Sequence, residues 1–158
     1  MSNYKFDKKD TVEDCFELSV FQMREAGVFD SGGGCQWSSS CGSGQNERSV
    51  GYIIHPGMTG ITLQYIRLDP LTQEEHKYSY DVILTTTPCH FGGIRYWFRC
   101  PLLKPDGTPC NRRVAKLYLP PFQSHFGCRH CHDLTYTSRQ MRMTGWMKRM
   151  WKLAGRMN

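Results

Sequence analysis

Two stretches decide the reading of this chain: CPLLKPDGTPC at residues 100–110 and, after 17 further residues, CRHC at 128–131. Each cysteine pair adjoins a stretch that reads as a strand, which is the pattern of a four-thiolate zinc ribbon. Zinc asks for four sulfurs at about 2.3 Å in a tetrahedron, and two tight turns facing each other can deliver them. The second pair has the two-residue gap of an ordinary knuckle. The first has nine intervening residues, and Pro105, Asp106, Gly107 and Thr108 read as a turn inserted into such a knuckle. Asp-Gly and three prolines make that loop easy to close. The expected ligands are therefore Cys100, Cys110, Cys128 and Cys131, holding one structural Zn²⁺ with no open coordination position. Two alternatives stand beside this one. The four thiols are simply buried, or His125, His130, His132 or the Cys89-His90 pair replaces one of them. Cys15 falls on the apolar stripe of a predicted helix, and Cys35 and Cys41 lack the partners for a second metal site.

Working outward, residues 94–99 (IRYWFR) form a strand running into Cys100. Residues 113–119 form another, stopped by Pro120 and Pro121, and 122–126 a last short one. Upstream, residues 50–54, 61–68 and 78–85 alternate apolar and polar positions and are rich in β-branched and aromatic side chains. That is strand chemistry, and the connections at 55–60 and 69–75 are of hairpin size, so an antiparallel meander follows. Residues 10–26 read as a helix, with Asp10 or Thr11 as cap, Glu13 and Asp14 in the first turn and Gly27 ending it. Its buried stripe is Val12, Cys15, Phe16, Ser19, Val20 and Met23. Residues 31–44, rich in Gly and Ser, read as loop, with Trp37 as an anchor onto the core. Residues 138–156 place Met143, Trp146, Met147, Met150, Trp151 and Ala154 on one helical face and Arg142, Arg149, Lys152 and Arg156 on another. The predicted class is α+β, in three parts. A helix with an antiparallel sheet spans 1–94, a zinc ribbon 95–137 and a basic amphipathic helix 138–158.

The whole chain has 158 residues, 39% hydrophobic and 22% charged, enough apolar material for a core and enough length for one domain or a domain with a small module. The longest apolar runs, at 52–54 and 82–84, are far short of the roughly 20 residues a membrane-spanning helix needs. The N-terminal lysines have no apolar stretch behind them, so no secretory signal is read and a cytoplasmic location is expected. Net charge is +6, unevenly spread. Residues 1–94 carry 7 Lys+Arg against 12 Asp+Glu, and residues 95–158 carry 13 against 2. A basic half of this kind points to a polyanionic partner, with nucleic acid first and an anionic membrane surface second. Arg95, Arg99, Arg112, Arg113 and Arg129 are the expected phosphate contacts, beside Tyr96, Trp97 and Tyr118 as stacking surfaces. Lys148, Arg149, Lys152 and Arg156 would add a second set from the terminal helix. A different class of function uses the Met/Trp face of that helix as a protein-docking element, for example in an inhibitor of a host defence complex. Enzyme signatures are missing: no Gly-rich loop leads to a lysine, and there is no nucleophile elbow or His-Glu metalloprotease run. A non-enzymatic binder is expected.

From Thr87 onward the chain resembles a family of small zinc-ribbon proteins from bacteria, phages and mobile elements. The likeness is carried by TPCHFGGIRYWFRCP at 87–101, CNRRVAKLY at 110–118 and FGCRHCHDLTYTS at 126–138. It extends more weakly through the N-terminal helix, the Trp37 loop and Leu63-Gln64-Tyr65. The longer first knuckle, the loop at 31–44 and the Trp/Met-rich tail depart from the family pattern. The resemblance implies the ribbon and a mobile-element setting, and it implies no activity.

Overall fold

Alternation of apolar and polar residues along three consecutive stretches builds a sheet with one buried face, as period-two patterning requires. The computed structural model describes residues 9–31, 35–40, 47–68, 72 and 74–140. In chain order the elements are β1 (Phe16–Ser19), α1 (Val20–Glu25), α2 (Val28–Ser31), β2 (Cys35–Ser40), β3 (Glu47–Ile54) and β4 (Gly60–Leu68). They continue as β5 (Glu75–Pro88), β6 (Ile94–Arg99), β7 (Arg113–Val114), β8 (Lys116–Leu119) and α3 (Thr137–Gln140). Strands β2 to β7 form one sheet in sequence order, every neighbouring pair antiparallel. Strands β1 and β8 form a second, two-stranded antiparallel sheet. The molecule is thus a mixture of antiparallel sheets with few helices.

The inward face of the large sheet carries Val50, Tyr52, Ile61, Leu63, Val82, Leu84 and Phe98. The small sheet contributes Phe16, Leu18, Leu117 and Leu119, the two helices Val20, Met23, Val28 and Phe29, and Phe126 completes the cluster. Phe126 meets Phe16 edge-on at 5.8 Å.

The helix expected over residues 10–26 is only partly present. Residues 12–14 make a single 3-10 turn, Phe16–Ser19 is strand, and the α-helix is confined to Val20–Glu25. Phe16 and Leu18, two residues apart, are both fully buried, which a strand achieves by alternation against the core and a helical stripe does not. What decides it is a distant partner: Phe16 pairs with Leu119 and Leu18 with Leu117. Gly27 does end the helical segment, at φ 68° with its N–H bonded to the Arg24 carbonyl.

The strand expected over 113–119 divides at Ala115. Val114 pairs with Phe98 in the large sheet, and Lys116 with Ser19 in the small one. The chain therefore crosses between layers at that residue. Residues 122–126 are not a strand: the segment is turn and bend, closing on a single bridge between Tyr118 and Gly127. Cys35–Ser40, inside the expected loop, forms strand β2 against β3 at the edge of the large sheet. The amphipathic helix expected over 138–158 lies outside the described residues apart from 138–140, which fall in α3 (Thr137–Gln140).

Candidate metal centre

The four cysteines come together. Their sulfurs all lie within 4.8 Å of one another, and among the described residues this is the cluster of metal-ligating side chains that forms. Cys100 Sγ is 3.9 Å from Cys131 Sγ, and Cys110 Sγ is 3.9 Å from Cys128 Sγ. Disulfide sulfurs sit at about 2.05 Å, so these are free thiols brought close without bonding. A tetrahedron with sulfurs about 2.3 Å from its centre has edges of about 3.8 Å, which these two separations match, while the remaining pairs lie within 4.8 Å. Cys100 and Cys128 are 3% and 1% exposed, while Cys110 and Cys131 are half-buried.

The first knuckle explains its own length. Cys110 donates its N–H to the Leu102 carbonyl at 2.9 Å, Leu103 bridges to Pro109, and Lys104 N–H reaches the Thr108 carbonyl at 2.8 Å. The seven residues 103–109 are therefore a miniature hairpin. Removing it would leave Cys-Pro-Leu-Cys, the same two-residue gap as the second knuckle. Asp106 locks the tip, accepting from Thr108 N–H at 2.9 Å and Thr108 Oγ1 at 2.6 Å. Those bonds hold the Asp106 carboxyl below the usual carboxylate range.

Backbone amides face the sulfurs. Cys128 N–H points at Cys100 Sγ (3.3 Å) and Cys131 N–H at Cys128 Sγ (3.4 Å). The crowded thiols share protons unequally. Cys128 is pulled down to about 4, first by its hydrogen bond with the Cys100 thiol and then by the Cys131 and His130 amides. Cys100 is pushed up by that same hydrogen bond and by burial. Cys131 is pushed up to about 12, chiefly by burial. Sulfurs arranged in this way, with amides donating to them, suit a soft or borderline divalent cation that takes the place of the protons.

None of the histidines joins the cluster. His125 packs against Tyr78 and Tyr80 at 5.3 and 5.0 Å and meets Ser124 Oγ at 3.1 Å. His130 is exposed. His132 Nε2 is buried without a hydrogen-bond partner among the described residues, and burial lowers the pKa of the ring. Cys89 and His90 belong to the turn between β5 and β6.

The basic residues divide into two groups. Arg95 and Arg113 place guanidinium groups 5.7 and 5.4 Å from the centre of the Trp97 ring. Trp97 lies opposite Phe98, which is fully buried, so Arg95, Trp97 and Arg99 share the outer face of β6. Arg99 pairs with Arg113 across β6 and β7, and its Nη1 donates to the Asn111 carbonyl at 3.0 Å. Arg112 is exposed, and Arg129 lies over Tyr136 at 5.2 Å. The ion pairs among the described residues are Lys9–Asp133, His55–Asp81 and Lys116–Glu17, and none engages these arginines. Lys148, Arg149, Lys152 and Arg156, with Met143, Trp146, Met147, Met150 and Trp151, lie outside the described residues.

Two of the expected stacking surfaces are not on display. Tyr96 is stacked on Phe29 at 4.1 Å, and Tyr118 is buried. Trp97 is half-buried, flanked by two cations, and donates Nε1–H to Thr87 Oγ1 at 2.9 Å. The aromatic that is fully displayed is Phe91. The signal for it was present in the sequence, an aromatic set between a strand end and Gly92-Gly93. Comparison with protein-family models, curated proteins and solved structures finds no match to this chain.

Proposed function

We propose that the chain is a non-enzymatic zinc-ribbon protein that binds nucleic acid through the outer face of β6 and β7. Cys100, Cys110, Cys128 and Cys131 would hold Zn²⁺, which when bound supplies a structural clamp and no reaction. The carrying observation is a set of arginines beside the four-cysteine centre, Arg95, Arg112 and Arg113 exposed and Arg99 half-buried, none with a carboxylate partner among the described residues. Arginine forks suit phosphate oxygens, and counterion release makes such binding strong at low salt. The motif run at 87–101 supports the phage or mobile-element setting.

Two measurements test this reading. Elemental analysis of native protein is expected to find one zinc per chain, lost together with thermal stability in a variant carrying Cys128→Ser and Cys131→Ser. Metal-free native protein of unchanged stability would overturn the metal assignment. Binding to an oligonucleotide, followed by fluorescence anisotropy, is expected to weaken steeply with salt. Arg99→Ala and Arg113→Ala should each reduce the log–log slope by about 0.7 on a single strand or 0.9 on a duplex. A protein that binds neither at low salt is not a nucleic-acid binder.

A further inference from the structure

Phe91 has the most exposed large apolar side chain among the described residues, at 98%, while Phe122 follows at 79%. It stands on a tightly built turn. Cys89 N–H donates to the Gly93 carbonyl and Gly92 N–H to the Cys89 carbonyl, both at 3.1 Å. Gly92 and Gly93 have φ of 88° and 84°, a backbone that residues with a β-carbon adopt only under strain. His90 braces the phenyl ring edge-on at 4.9 Å. The turn thus holds a bare aromatic ring out in water.

The surroundings say what would cover it. Cys89 of the same turn lines a hollow of about 120 Å³ together with Val20, Phe21 and Arg24 from α1 and Arg95 and Tyr96 from β6. Arg24 and Arg95 line this hollow without carboxylate partners among the described residues, Arg95 lying also 5.7 Å from the Trp97 ring. Such guanidinium groups suit a phosphate, and the ring on the adjoining turn suits a base with no stacking partner. Trp97 does not compete for that base, since Arg95 and Arg113 occupy its surroundings.

Building on the nucleic-acid reading above, we infer that the Phe91 tip stacks one unpaired base of a single-stranded nucleic acid while Arg24 and Arg95 hold the adjoining phosphate. In a duplex both faces of each base are already stacked, so the tip would discriminate in favour of single strands.

The test uses the full chain, an oligonucleotide bearing 2-aminopurine, and the duplex of the same length. The native protein is expected to prefer the single strand and to change the 2-aminopurine fluorescence. Phe91→Ala should weaken single-strand binding at least fivefold and abolish the fluorescence change, leaving the salt slope and duplex binding as they were. Phe91→Trp should retain both. Thermal melting is expected to be the same in all three, because the side chain buries nothing. If Phe91→Ala binds the single strand as the native protein does, or loses both substrates equally, the inference fails while the arginine face stands. Should Phe91→Ala instead abolish self-association of the free protein, the tip serves a second copy and the inference likewise fails. Absence of binding to either substrate at low salt removes both readings.

Discussion

Gly127 has no room for a β-carbon. One built there would stand 2.1 Å from Leu102 Cδ1 and 2.7 Å from His132 Nε2. Leu102 accepts the hydrogen bond that closes the first knuckle, and His132 directly follows the last cysteine of the second. Gly127→Ala is therefore expected to destabilise the protein by about 1–3 kcal/mol through overpacking. The same variant should surrender its metal to a chelator faster than the native protein does. An unchanged melting temperature would show that both side chains give way freely. The four cysteines were legible because their spacing is itself the ligand geometry. Gly127 was not legible, since a glycine between Phe126 and Cys128 says nothing about which side chains cross above it. Phe98 and Trp97 were half legible: alternation requires one inside and one outside, but does not say which.

At the scale of elements, side chains of β4 and β5 override the apolar character of residues 120–126. Tyr65 Oη donates to the Ser124 carbonyl at 2.5 Å, and Tyr80 Oη accepts from the Phe126 N–H at 2.8 Å. Arg67 reaches the Pro120 carbonyl at 3.1 Å and the Pro121 carbonyl beside it. These bonds hold the segment as an irregular loop, although its composition suggests a strand. Tyr80→Phe leaves a buried N–H without its acceptor and should cost about 1–3 kcal/mol in urea unfolding. Tyr78→Phe, which removes no such bond, should cost much less. Equal effects of the two would mean that ring packing and not the hydroxyl matters. The meander β3 to β6 was legible, because period-two patterning and short connections act locally. Strand β1 was hidden because its residues fit the helical stripe read over 10–26 equally well.

Across the whole molecule the buried tyrosines set a limit at high pH. Burial raises the pKa of Tyr65 and Tyr80, and pushes that of Tyr118 up to about 12. A raised phenol favours the neutral form in the folded state. Its contribution is intact below the unfolded value near 10 and is lost as pH rises through the folded one. Melting temperature should fall above about pH 10, with tyrosinate absorbance from these three appearing in step with unfolding. Their ionisation in a still-folded chain would contradict this. Sequence alone determined the four-cysteine cluster, the turn within its first knuckle, the antiparallel meander and the basic second half, for each is written in spacing, alternation or charge between near neighbours. Only the tertiary structure decided that Phe16–Ser19 is a strand, that the chain changes sheets at Ala115, and which aromatic faces water. Those outcomes depend on Leu119 meeting Phe16 and on Phe29 covering Tyr96, and burial is a property of what a side chain meets rather than of the residues beside it.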